Sequence, residues 1–387
     1  MVYRCVFYPA LPVLSIGTGS SQEVLRYRYQ FYDEDDGRID VESNYLDYKV
    51  AWGKSSASLR LAVDSLTGMT PTGTHAPGDP DDWLFQTISD ERRVGVATIE
   101  HEVNDYNLSF EYAHSKEVDY RSNAVTGKVS RQFNQKNTTV TAGVAFAFDE
   151  VLATPFTNNL NDEDKDTFDL NFGVSQILSQ NTILDLNLGY GHNSGYLSDP
   201  YRRISQQKTE IIDGPFGPIP VEGTFNYAEN RPDELDRFVV KASVRHYFQP
   251  VNAALKFSYR FFANTNSVEG HTFEVKWIQE INRHLSFTPY VRYYRQSEAD
   301  FYYTSLTGTG IDGTDRIDGS EPNYSSDYRL SKLEALTYGV RVAWDPLDNM
   351  TLDVQWERYE MSGLRTETPG TFFPSANVLS VGAQFRF

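Results

Sequence analysis

The chain has 387 residues, with 35 Lys plus Arg against 53 Asp plus Glu and a formal charge of −18, a balance that excludes a general nucleic-acid binder because phosphate contacts need a basic face. Mean hydropathy is −0.50, and no stretch approaches the ~18 to 20 consecutive apolar residues of a membrane helix, so helical spanning is excluded while spanning by strands is not.

In chain order, residues 1–22 are expected to be a residual signal peptide or a disordered N-terminal tail: Arg4 precedes a weakly apolar run, Cys5 to Ile16, that Pro9 and Pro12 interrupt. Cys5 is given no role. From residue 23 to 387 one rhythm repeats, a segment of alternating polarity, a tight turn, a second such segment and a longer polar loop. The alternation predicts sixteen strands near 23–33, 38–52, 56–66, 93–103, 106–116, 118–132, 138–149, 166–178, 181–194, 237–248, 253–264, 268–280, 284–297, 333–345, 349–361 and 376–387. The largest connections fall near 67–92, 150–165, 195–236, 298–332 and 362–375, and a compact soluble domain seldom carries so many loops beyond ~12 to 15 residues. The fold expected is all-β, a single antiparallel up-and-down transmembrane barrel of about sixteen strands, with short periplasmic turns and long extracellular loops in a bacterial outer membrane. The 25 Tyr and 24 Phe against 4 Met also favour pleated sheet over a helix bundle.

The alternation is clearest where Val140, Ala142, Val144, Phe146 and Phe148 share one face and Thr139, Thr141, Gly143, Ala145 and Ala147 the other. Large aromatics, Trp52, Phe133, Phe248, Trp277 and Trp344, fall at the tight-turn ends of successive hairpins, as an interfacial girdle requires. The chain ends with Leu379, Val381, Ala383 and Phe385 on one face and an aromatic last residue, Phe387, which resembles the signal that hands outer-membrane proteins to their insertion machinery.

The runs Asp64-Ser-Leu-Thr-Gly-Met-Thr-Pro-Thr-Gly73, Phe133-Asn-Gln-Lys-Asn-Thr-Thr139, Ser194-Gly-Tyr-Leu-Ser-Asp-Pro-Tyr201, Glu229-Asn-Arg-Pro-Asp233 and Arg292-Tyr-Tyr-Arg-Gln-Ser-Glu-Ala-Asp-Phe-Tyr302 resemble the outer-membrane family catalogued as domain of unknown function 3570, over roughly residues 23 to 387. That family brings no settled activity. The resemblance implies a setting of outer-membrane lipid and lipopolysaccharide, and a lipoprotein or redox protein as partner.

With the apolar parity facing lipid, the lumen is lined by Arg26, Arg28, Arg60, Lys241, Arg245, Lys256, Arg260, Lys276, Arg292 and Arg341, with Glu274, Asp353 and Glu357 and also Asp64, Glu111, Asp169 and Asp185 among them. Such a lining either forms a basic path that favours anions or pairs with itself across strands. A barrel of this width leaves an aqueous channel unless something fills it, so a porin-like conduit for small solutes is the leading expectation. A barrel that sheathes or displays a partner is the alternative. A third reading, lipid hydrolysis, rests on His192 and Ser194, two apart on the lipid face. This resembles the His-x-Ser arrangement of outer-membrane phospholipases, but no third residue to orient His192 is identifiable in the sequence. No enzyme activity and no cofactor are expected. The lone Cys excludes a multi-thiolate metal site, and the acidic loops at 33–36, 79–82, 161–166 and 312–318 suit calcium chemically without matching its spaced loop motif.

Overall fold

A computed structural model describes residues 22–387 except 77–78, 155–160, 215–216 and 315–316; the N-terminal segment expected as a signal or tail lies outside the described residues. Sixteen strands close into one antiparallel ring: β1 (Gln22–Glu34), β2 (Ile39–Trp52), β3 (Ser55–Ala76), β4 (Asp79–Val103), β5 (Tyr106–Lys116), β6 (Tyr120–Phe133), β7 (Thr138–Val151), β8 (Glu163–Ser179), β9 (Thr182–Gly195), β12 (Glu234–Phe248), β13 (Ala253–Asn264), β14 (Glu269–Asn282), β15 (Leu285–Gln296), β16 (Leu333–Leu347), β17 (Met350–Gly363) and β18 (Ser375–Arg386). The remaining two, β10 (Arg203–Gly214) and β11 (Gly217–Ala228), form a separate hairpin inside the β9–β12 connection. Closure comes from β1 pairing with β18, Leu25 opposite Phe385 and Phe31 opposite Leu379, which leaves no unpaired edge in the ring.

The alternation sorts the side chains as a lipid-embedded barrel demands. Phe110, Phe148, Leu188 and Val354 are each at least half exposed on the outside, whereas Ser243, Ser258, Ser380 and Asp353, of the opposite parity, are under a tenth exposed. An apolar exterior around a closed strand ring is the architecture of bacterial outer-membrane barrels, and it assigns the chain to that membrane.

One end of the ring is made of tight turns, in which Gly53 and Asn104 adopt left-handed φ values of 55° and 53° that a two-residue hairpin needs. The other end departs from the sequence expectation. Residues 67–92, expected as a loop, are mostly the continuation of β3 and β4, which stay paired out to Ala76 opposite Asp79. Beyond Gly68, β3 has lost β2 as its neighbour, so Pro71, with no N–H to give, sits on an edge where none is needed. The β9–β12 and β15–β16 connections are folded pieces, with a buried cluster of Ile204, Tyr227, Leu306 and Tyr324 joining one to the other.

Candidate functional site: a charged lumen beneath a folded roof

Every expected lumen residue falls on the inward parity, and the structure divides the charges into two walls. Along β1–β4 and β16–β18 they are paired. Asp47 accepts from Arg26 at 3.0 Å and Arg60 at 3.3 Å; Asp353 accepts from Arg28 at 2.8 Å and Arg341 at 3.1 Å. Arg92 donates to Asp64 and Lys49 to Glu100, and on the far side Arg237 donates to Asp169 at 3.0 Å.

Three of these pairs reach across an intervening strand: Lys49 meets Glu100 past Ser56 and Ser58 of β3, and in the other two a glycine leaves the space. Arg28 and Asp353 both stand opposite Gly382, and Asp169 and Arg237 both stand opposite Gly191. A Cβ on either glycine would collide with the carboxylate and crowd the guanidinium beside it. Along β12–β15 the picture differs: Arg245 faces Lys256, Lys256 faces Lys276, and Lys241 faces Arg260 in direct cross-strand register, while Arg292 stands opposite Glu274. Glu357 stands two residues along β17 from Gln355, the residue opposite Arg341. One wall is therefore paired across strands, while the other sets cation against cation.

Over the loop end lies a roof. The β9–β12 connection carries Asp199, Arg202, Glu229 and Arg231, and the β15–β16 connection carries Asp327 and Arg329. Arg231 donates to Asp327 at 2.8 Å and bonds Glu229, while Arg329 donates to Asp199 at 2.6 Å and to Asp327. Three guanidiniums meet three carboxylates, so the buried set is neutral. Burial, only partly offset by Arg231, raises the Glu229 carboxyl above its usual range. Burial also disfavours the Asp327 charge, but Arg329, Arg202 and Arg231 outweigh it and hold that carboxyl well below the usual range.

The roof is tied to strands around the ring. Arg202 donates to Thr70 Oγ1 at 2.9 Å and to the Pro71 carbonyl on β3, six strands from β9 in ring order. Neighbouring connections hold it too: Tyr201 donates to Asp119 between β5 and β6, and between β17 and β18 Thr368 bonds the Tyr302 hydroxyl and Arg365 pairs with Glu298 at 2.6 Å. None of this was visible in the sequence reading, which treated these segments as polar loops.

The five expected girdle aromatics all carry the outward parity near the tight-turn end. Trp52 and Trp344 are about half exposed, Trp277 stacks on Phe248 with centroids 5.7 Å apart, and Arg131 lies over both Tyr106 and Phe133. Phe385 lies on the same outward face of β18 as Leu379 and Val381, and Phe387 follows at the strand's end, 70% exposed. His192 acquires the orienting residue that the sequence did not reveal. Asp236, opposite it on β12, bonds His192 Nδ1 at 2.9 Å and accepts from the Tyr190 hydroxyl at 2.7 Å. Among the described residues, Ser194 makes no hydrogen bond to His192. Of the acidic loops, Asp35 is engaged by Arg358 and Asp162 by the Ala153 amide. A carboxylate cluster not anticipated forms instead from Asp90, Glu117 and Asp119, with one oxygen of each within 4.8 Å of the others. There burial, with Asp90 next, pushes Glu117 up to about 7.

Comparison with solved structures finds the same fold in CdiB from Acinetobacter baumannii, with a TM-score of 0.50 and 10% identity over 94% of this chain; the chain spans 60% of the length of that protein. A bacterial polysaccharide outer membrane secretin matches with a TM-score of 0.46 and 11% identity over 94% of this chain and 98% of its own. OccK5 of Pseudomonas aeruginosa gives 0.45 and 8% over 95% and 98%. No curated protein matches the sequence. A family match does cover residues 75–378, well over half of the chain, and on it the protein belongs to the family described as protein of unknown function (DUF3570).

Proposed function

We propose that the protein is a porin-like conduit for small solutes across the outer membrane, with the roofed end outside and the tight turns in the periplasm. The observation that carries this reading is a closed sixteen-strand ring whose inward parity is mostly charged, polar or small while its outward parity is mostly apolar. A ring of that size encloses more volume than its own side chains fill. Passage at the outer end then runs through or past the loop roof, so the conduit is narrow and gated by those loops. The outward aromatics of the turn end serve as the interfacial girdle, and the β18 face ending in Phe385 and Phe387 as the recognition segment for the insertion machinery. The test is single-channel recording of refolded barrel in a planar bilayer. Discrete conductance steps support the conduit. Silence from a barrel verified as folded removes it and leaves a barrel that displays or sheathes a partner, such as a lipoprotein or redox protein, on its roof.

The Asp236–His192 pair favours a second reading, lipid-ester hydrolysis at the outward rim. Fixed by Asp236 through Nδ1, His192 would take the Ser194 proton on Nε2 as Oγ attacks an acyl carbonyl, then return it to the leaving alcohol, and water would release the acyl group. Phospholipid turnover in mixed micelles that Ser194→Ala abolishes supports this reading, and turnover equal in wild type and variant removes it.

A further inference from the structure

Like charges placed directly opposite one another on neighbouring strands weaken a sheet, and the cost grows where the wall excludes water. On the paired wall, Asp47 and Asp353 each hold two arginines. On β12–β15 that economy is missing. Among the described residues, Lys241, Arg245, Lys256 and Arg292 make no ion pair and no side-chain hydrogen bond, although Arg245–Lys256–Lys276 and Lys241–Arg260 are rows of facing cations. The nearest carboxylates are Glu274, which is shared with Lys276 at 3.6 Å, Asp185, which takes the Ser243 hydroxyl at 3.4 Å, and Glu357 beyond them. Arg260 aside, five cations thus stand against three anions.

The row between them runs Asp185, Ser243, Ser258, Glu274 and Arg292, two hydroxyls with a carboxylate on either side. Ser243 and Ser258 are opposite one another and buried, and Thr272, opposite Arg260, buries an Oγ1 that has no partner. Strand spacing of about 4.8 Å and a separation of four residues between rows make a patch roughly 10 by 13 Å. Cations in excess over carboxylates, beside the Ser258 hydroxyl and the unpartnered Thr272 Oγ1, are the recognition chemistry of an oxyanion.

We propose that this wall is a binding site for small multivalent oxyanions, of the phosphate or polycarboxylate class, and that it sets the selectivity of the lumen. The proposal rests on the conduit reading and specifies what the conduit carries. An anion bridging the two rows would replace the missing counter-charges, and its release would restore the repulsion, which keeps binding weak enough for passage.

Refolded barrel is recorded in a planar bilayer under a potassium chloride gradient, then with inorganic phosphate or citrate added at millimolar concentration. The expected result is a reversal potential on the chloride side and a concentration-dependent block of chloride current by phosphate. The Arg245→Gln/Lys256→Gln variant should raise the half-blocking concentration about tenfold or more, and Lys256→Arg should keep it near wild type. Conductance without anion preference or phosphate block overturns the site and leaves the conduit standing. A silent barrel overturns the conduit, and equilibrium dialysis of labelled phosphate against the same folded barrel in detergent then decides the site. Saturable binding lost in the double variant upholds it, and no binding overturns it.

Discussion

A single carboxylate holding two guanidiniums across four strands is a geometric device, and Gly382 is the part that gives it room. Arg28 and Asp353 lie on β1 and β17, with β18 between them, and their side chains meet in the space that a Cβ on Gly382 would take. Gly382→Val should therefore separate Arg28 from Asp353 and leave both charges facing a narrow lumen. Both arginines keep part of their surface in water, so the loss should be about 1 to 3 kcal/mol rather than the cost of a fully buried broken pair. It is read as a lower urea midpoint for loss of the compact form, with Gly370→Val, in the exposed β17–β18 connection where a Cβ meets nothing within 4 Å, as a neutral comparison. Outside the membrane, Glu117 supplies a titration. With its folded value raised to about 7 against an ordinary 4.5, chiefly by burial and then by Asp90, the group stabilises its loop fully below pH ~4.5 and loses that contribution as pH rises through 7. Glu117→Gln should make no difference near pH 4 and should slow amide exchange at Val118 severalfold near pH 8; equal slowing at both pH values would contradict a raised Glu117. The inward position of every lumen charge was legible from alternation, since parity is local. Which charge meets which was not: Arg28 finds Asp353 at a sequence distance of 325, fixed by closure and register.

At the scale of one strand, the two faces of β9 are chemically separate environments a single residue apart. Leu188 stands outside near the middle of the strand, 53% exposed, and Asn187 inside opposite Lys241 and Gly173. An arginine at Leu188 would sit in hydrocarbon and should cost about 2 to 4 kcal/mol of folding into a bilayer. The Asn187→Arg variant enters the lumen opposite Lys241, where like charge costs about 0.2 to 1 kcal/mol, and should fold much closer to wild type. Comparing the two variants for heat-modifiable migration after refolding into liposomes checks this directly, and equal behaviour would mean that the faces are misassigned. The same alternation made the sixteen ring strands legible, most within two residues of their observed ends. It failed at β3 and β4, where the segment expected as a loop continues the hairpin past the rim. The reason is physical: Thr67-Gly-Met-Thr-Pro-Thr-Gly73 has turn-like composition, but past the rim it needs only one neighbour, and the opposing Trp83-Leu-Phe-Gln-Thr-Ile88 supplies it. β10 and β11 were missed for a related cause, since no lipid face imposes a period on them.

For the whole molecule, the runs that carry the family resemblance converge in space. Four of them supply the roof: Thr70 and Pro71 receive Arg202, Asp199 and Tyr201 lie in the second, Glu229 and Arg231 in the third, and Ala299, Phe301 and Tyr302 in the fourth. Segments widely separated in the chain build one neutral ion cluster above the lumen, so the roof is as much a part of the fold as the ring is. Ring and roof differ in what holds them. The ring is secured by continuous backbone pairing, whereas the roof rests on small apolar clusters and on charges whose burial is tolerable only while all are present. Removing one member tests this separation. Arg231→Ala leaves Glu229 and Asp327 without the cation between them, a loss of about 3 to 5 kcal/mol by the usual cost of an uncompensated buried charge. That penalty should release the two connections without opening the ring. Limited proteolysis should then cut within 196–233 or 297–332 while the strands stay protected, and single-channel recordings should show larger or longer openings than wild type. Cutting with unchanged conductance would mean that the roof does not gate the lumen. Resistance to cutting would mean that the apolar clusters, and not the ion network, hold it closed.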